Sequence, residues 1–133
     1  FVRIDRVTTA VDVGTEVNPA LVAAQMHGGI AQGLGQAFQE DCRYDQESGQ
    51  LSTGSWMDYS VPKADDFPFI DHVSVNTPSP NNHMGFKGVG ELGTIGAPAA
   101  ALNAVVDAIG PNSSVSMPWT AEKIWKACKG KIQ

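Results

Sequence analysis

Gly85-Phe86-Lys87-Gly88-Val89-Gly90-Glu91-Leu92-Gly93-Thr94-Ile95-Gly96 is the stretch on which the reading of this chain turns. Five of its twelve residues are glycine and one is a carboxylate. Glycine lets a backbone turn tightly and lets a ligand lie directly on peptide N–H groups. Successive N–H groups in such turns form anion-binding concavities. The stretch runs into Ala97-Pro98-Ala99-Ala100-Ala101-Leu102, which reads as a helix start with Pro98 in the first turn. A glycine-rich loop feeding a helix N-terminus suits an anion, and Glu91 sits inside it. A tight connection with a solvated turn carboxylate accounts for the same residues. The order of a P-loop is absent, and so is a clean Gly-x-Gly-x-x-Gly after a strand. ATP and a Rossmann-bound dinucleotide are therefore not the expected ligands.

Working outward, Pro98 to Ile109 reads as a long helix with an apolar stripe of Leu102, Val105, Val106 and Ile109, stopped by Gly110-Pro111. A short helix follows Pro118, with Thr120 as N-cap and Ile124, Trp125 and Cys128 on its apolar side. Lys126, Lys129 and Lys131 near its end suit the helix dipole. Upstream of the loop, Phe69 to Thr77 reads as a strand and Lys63 to Pro68 as a surface loop. Cys42 to Tyr59 reads as a hairpin turning at Asp45–Gly49, with Trp56, Met57 and Tyr59 packing near Pro62.

The first long helix opens at Asn18-Pro19, with Asn18 as N-cap and Pro19 at the first helical position, and runs to about Glu40. Val22, Met26, Ile30, Gly33, Leu34 and Ala37 form its core stripe. Gln25, Gly29, Gln32 and Gln36 form a second stripe on one face. Gly28, Gly29, Gly33 and Gly35 each cost about 1 kcal/mol in a helix interior. Either another helix or a ligand approaching closely would account for them. Gln25, beside that gap, offers both a donor and an acceptor to a polar heterocycle. Phe1 to Val13 reads as a strand ended by the Asp12-Val13-Gly14-Thr15 turn.

The 133 residues suffice for one domain of α+β class, with a mixed sheet and two long helices. A net charge of -5 argues against general binding of nucleic acid or anionic membranes. No transmembrane run is evident, and a start at Phe1 suggests part of a longer polypeptide. Cys42 and Cys128 are far apart, and His27, His72 and His83 are scattered, so no metal site is expected from these residues.

Gln25-Met26-His27-Gly28-Gly29-Ile30-Ala31-Gln32-Gly33-Leu34-Gly35-Gln36-Ala37 resembles a signature helix of the molybdenum hydroxylases, the xanthine dehydrogenase / aldehyde oxidase / aerobic carbon monoxide dehydrogenase family. Lys87-Gly88-Val89-Gly90-Glu91, followed by Ala97-Pro98-Ala99-Ala100, resembles a second signature. The similarity runs from Val11-Asp12-Val13-Gly14 through Leu51–Tyr59 to Pro118-Trp119-Thr120. Residues 1–133 thus resemble the C-terminal part of the molybdopterin-binding large subunit. The resemblance implies molybdenum held by molybdopterin, with the cytosine dinucleotide as the expected form. It implies Glu91 as the catalytic general base on a Mo–OH group. It also implies Gln25 and the backbone of Lys87, Gly88, Val89 and Gly90 as cofactor-binding. Oxygen from water would be placed on an aldehyde or N-heterocycle. Carbon monoxide oxidation, or cofactor binding without catalysis, are the alternatives. Iron–sulfur clusters and FAD or haem are expected on partner domains or subunits, in the cytoplasm or, alternatively, the periplasm. Many purine and aldehyde enzymes of the family follow the glutamate with Pro-Pro. Leu92-Gly93-Thr94-Ile95-Gly96 is instead closer to the branch with carbon monoxide dehydrogenases and N-heterocycle hydroxylases.

Overall fold

In a computed structural model, residues 2–111 and 116–129 are described; Phe1 and Lys131, both named above, lie outside them. Strand β1 (Val7–Val11) leads into helix α1 (Pro19–Phe38), then strand β2 (Ile70–Ser74), helix α2 (Leu92–Ile109) and helix α3 (Ala121–Lys129). The architecture is α+β with two long helices. The strands pair in parallel, Val7 with Ile70 and Val11 with Ser74, and α1 lies in the connection between them. Parallel strands need such a crossover. The sheet is narrower than the mixed one expected. Among the described residues, antiparallel pairing is limited to the isolated bridges Gly14–Phe86 and Tyr44–Leu51.

Helix α1 begins where its cap dictates. The Asn18 side chain accepts from the amides of Ala20 and Leu21, and Pro19 occupies the first turn. Its buried face is Met26, Gly29, Ile30, Gly33, Leu34, Gly35 and Ala37. The four-residue stripe starting at Gln25 splits: Gly29 is buried, whereas Gln25, Gln32 and Gln36 are exposed.

Helix α2 starts six residues earlier than the sequence suggests, so the second half of the glycine-rich stretch is helical. Pro98 lies inside the helix and removes the ladder bond that would reach Thr94. Packing offsets that loss. The buried face of α2 is Gly93, Ala97, Ala101, Val105 and Ile109, a row of mostly small residues four apart. They let α2 lie directly on Gly29 and Gly33 of α1. Thr94 Oγ1 also donates to the carbonyl of Gly29 at 2.8 Å. Leu102, expected in the core, is 40% exposed because this row is rotated toward the smaller side chains. At its full length of 18 residues, α2 is long and apolar enough to cross a membrane by length and composition. A start at Pro98 hid that property.

Other expectations shift similarly. The strand expected over Phe1 to Val13 is confined to Val7–Val11. The hairpin reduces to one bridge around a turn in which Asp45 Oδ1 accepts from the Ser48 amide and hydroxyl. Trp56 and Met57 are 84% and 93% exposed rather than packed, whereas Tyr59 is half-buried and its hydroxyl donates to Glu40. Helix α3 does follow Thr120, whose hydroxyl accepts from the Lys123 amide. It packs Ile124, Ala127 and Cys128 on the core. Trp125 instead faces outward, with Lys129 Nζ 4.0 Å from its ring centroid.

Candidate cofactor site

The segment between β2 and α2 is stitched to the turn after β1. The Thr15 amide donates to the Gly85 carbonyl and the Lys87 amide to the Val13 carbonyl, each at 3.0 Å. Gly14 adopts a φ of +65°, and a Cβ there would lie 2.2 Å from the Gly85 oxygen. This is a close approach that only glycine permits. Asn82 holds the next residue from both sides: Oδ1 accepts from the Phe86 amide and Nδ2 donates to its carbonyl. Lys87 Nζ pairs with Asp12 Oδ2 at 2.6 Å. The other carboxylate oxygen, Asp12 Oδ1, accepts from the amides of Gly14 and Thr77. The Lys87 ammonium, reinforced by those two amides, holds Asp12 well below the usual carboxylate range.

Past Lys87 the chain is free of such bonds for one short span. The amides of Gly88, Val89, Gly90 and Glu91 have no partner among the hydrogen bonds of the described residues. Gly88, Gly90 and Glu91 are exposed, and Val89 is half-buried against the core. A Cβ added at Gly88 or Gly90 would meet nothing within 4 Å. At the far end, Gln25 Nε2 donates to the Gly90 carbonyl at 2.8 Å. Glu91 then caps α2 with its backbone, its carbonyl accepting from the amides of Thr94 and Ile95. Its carboxylate makes no capping bond.

All six residues singled out from the sequence therefore come together. Gln25 touches the loop rather than standing apart from it, and one of its two amide N–H donors is taken by the Gly90 carbonyl. The Lys87 side chain is committed to Asp12, which leaves the main chain as the part of this segment open to a ligand. Asp12 and Asn82 were not anticipated. Asp12 reads locally as a turn residue, and its partner lies 75 positions away. A shallow cleft of about 360 Å³ adjoins the loop, lined by Val13, Thr15, Val22, Gln25, Lys87 and Val89 among others. A cavity of about 400 Å³ between β1, α1 and α2 is lined mainly by apolar residues and includes none of these six. The cleft beside the loop, with its polar groups, is the better candidate for chemistry.

Four free amides in a row, open space over two glycines and an uncommitted carboxylate fit a large, polar, anionic cofactor lying along the main chain. Comparison with known proteins gives the family of the chain. Residues 1–68 match the molybdopterin cofactor-binding domain family. This chain belongs to that family. It is 43% identical to the nicotine 6-hydroxylase large subunit of Paenarthrobacter nicotinovorans, over 99% of this chain and 16% of that protein. It is 36% identical to the carbon monoxide dehydrogenase large chain of Afipia carboxidovorans, over 86% of this chain and 14% of that one. Among solved structures, a Cu,Mo-CO dehydrogenase superposes with a TM-score of 0.87 at 33% identity, covering 96% of this chain and 16% of its own. Quinoline 2-oxidoreductase from Pseudomonas putida 86 gives 0.80 at 37% identity, covering 92% and 16%. The chain thus spans about a sixth of the length of such relatives.

Proposed function

We propose that residues 1–133 form the C-terminal molybdopterin-binding part of the large subunit of a molybdenum-dependent hydroxylase. In this reading, molybdopterin, as its cytosine dinucleotide, lies along Lys87, Gly88, Val89 and Gly90 and is met by the carbonyl end of the Gln25 amide. The observation that carries this is the run of four unpaired amides ending at Glu91, beside the N-terminus of α2. When bound, the cofactor supplies the metal that accepts two electrons from the substrate carbon. The residues of this chain do the rest. The amides hold the cofactor by hydrogen bonds and by the positive end of α2. Glu91 takes a proton on its carboxylate from the water-derived oxygen nucleophile, placed for that by its backbone cap. Its exposure in this chain assigns the exclusion of water to adjoining polypeptide.

An N-heterocycle is the favoured substrate class. Nicotine 6-hydroxylase and quinoline 2-oxidoreductase are 43% and 37% identical to this chain. The structural likeness to carbon monoxide dehydrogenase supports carbon monoxide oxidation as the second reading. Names such as "large subunit" and "complex subunit gamma" among the relatives support partner subunits, on which iron–sulfur clusters and FAD or haem would reside. The test is metal analysis of the full-length protein purified with its natural partners, with release of the pterin. Stoichiometric molybdenum and a pterin are expected, followed by turnover of N-heterocycles in a substrate screen. Fully assembled protein lacking both would overturn the proposal.

A further inference from the structure

Asp12 is not among the residues of the open span, yet its carboxylate is bonded to Lys87 at one end of it. Its two oxygens do different work. Oδ1 closes the local turn through the amides of Gly14 and Thr77, at 2.9 Å and 3.1 Å. Oδ2 is turned to Lys87 Nζ at 2.6 Å. The Lys87 amide is itself bonded to the Val13 carbonyl; beyond it the Val89 carbonyl accepts from the Leu92 amide at 3.4 Å and the Gly90 carbonyl from Gln25 at 2.8 Å. Two side-chain contacts therefore flank the span that leads to Glu91, the ion pair at Lys87 and the Gln25 amide at Gly90, in addition to the Lys87 backbone bond and the packing of Val89. Gly88 and Gly90 bring no side chain to the span, so only Val89 packs from it onto the core.

We infer that Asp12 is a positioning residue for the reaction, acting through its ion pair with Lys87 to fix the main chain that leads to Glu91. The inference rests on the proposed role of this loop in cofactor binding and of Glu91 in proton transfer. An exposed ion pair ordinarily adds little to stability. Its effect here is geometric, and displacement of a reacting group by a fraction of an ångström is felt in the rate.

Asp12→Asn separates the two functions, because the amide oxygen can keep both turn bonds while its NH2 group faces Lys87 without attraction. Lys87→Met removes the pair from the other side and leaves the turn untouched. Both are made in the full-length protein with its partners, alongside Glu91→Gln. Turnover in each of the first two is expected to fall about tenfold, with KM nearly constant, molybdenum content unchanged and melting temperature only slightly lower. The double variant is expected to be no worse than either single one, since both remove one interaction. Hydrogen–deuterium exchange supplies a readout independent of activity: amides 87–91 should exchange faster in both variants, and those of α1 and α2 should not. Unchanged exchange at 87–91 in both variants would overturn the inference. So would undiminished turnover in both where Glu91→Gln abolishes it. Full activity of Glu91→Gln would instead sink the proposed role of the loop, and exchange at the Lys87 amide, which is bonded to Val13, would then decide the clamp by itself. Should Asp12→Asn fail to fold, Lys87→Met carries the same test.

Discussion

Two sets of glycines in this molecule look alike in sequence and behave oppositely in space. Gly29 and Gly33 of α1 and Gly93 of α2 lie where two helices touch. A Cβ at Gly93 would sit 2.6 Å from the Met26 carbonyl oxygen, and one at Gly33 would sit 2.8 Å from the Ala97 Cβ. Gly88 and Gly90 would meet nothing. The first set exists because protein atoms come too close for a side chain. The second lines open space that a ligand can use. Glycine content alone reports only that something approaches closely; the tertiary structure says whether that something is already there.

The comparison can be broken most severely at its functional end. Glu91→Gln in the full-length protein should lower turnover by about 10²–10⁴-fold while molybdenum is retained, as measured by kcat and metal content together. Loss of the metal with the activity would make Glu91 a structural residue. At the packed end, Gly93→Ala should destabilise the protein by about 3 kcal/mol in denaturant unfolding, because the new methyl meets backbone that cannot rotate away. A stable Gly93→Ala variant would mean that the helices can part at little cost. Gly90→Ala sharpens the contrast. Gly90 is not among the glycines with positive φ, and a Cβ there meets nothing, so stability should change by less than about 0.5 kcal/mol. Cofactor content should nevertheless drop, since the methyl occupies the space over the amides.

The smallest effect concerns pH. Asp12 has its folded-state pKa lowered below the usual value of 3.8, chiefly by Lys87. A depressed carboxylate stabilises the folded state above its unfolded pKa, and that contribution fades as pH falls below about 4. Melting temperatures of the wild type and Asp12→Asn should therefore differ slightly at neutral pH and converge in acid. A difference that grows in acid would contradict the ion-pair assignment.

Much of this was legible locally. The N-cap at Asn18 and Pro19 set the start of α1, and the four-residue recurrence from Met26 to Ala37 set its buried face. Gly110 marked the end of α2 with φ of +86°. The six site residues were nameable from the two signatures that resemble the molybdenum hydroxylases. The start of α2 was not legible, because Gly93, Gly96 and Pro98 are poor helix formers. The position of Gly93 and Pro98 is decided by contact with α1, which propensity does not register. Trp56 and Met57 failed for the converse reason. Their apolar character predicts burial, yet both side chains stand on the surface of the described residues.

By itself the sequence determined the helix with its cap, two strand candidates and the residue types of the site, because these depend on spacing over a few residues, and two motifs within it resembled the family. Only the tertiary structure decided which glycines are filled by a neighbouring helix and which stay open. It also decided that one Gln25 donor is taken by Gly90 and that Asp12 reaches Lys87. Those facts join positions 65 and 75 residues apart. No local pattern encodes a contact across such a distance, since it exists only once α1 and α2 have packed and brought the turn after β1 to the loop before α2.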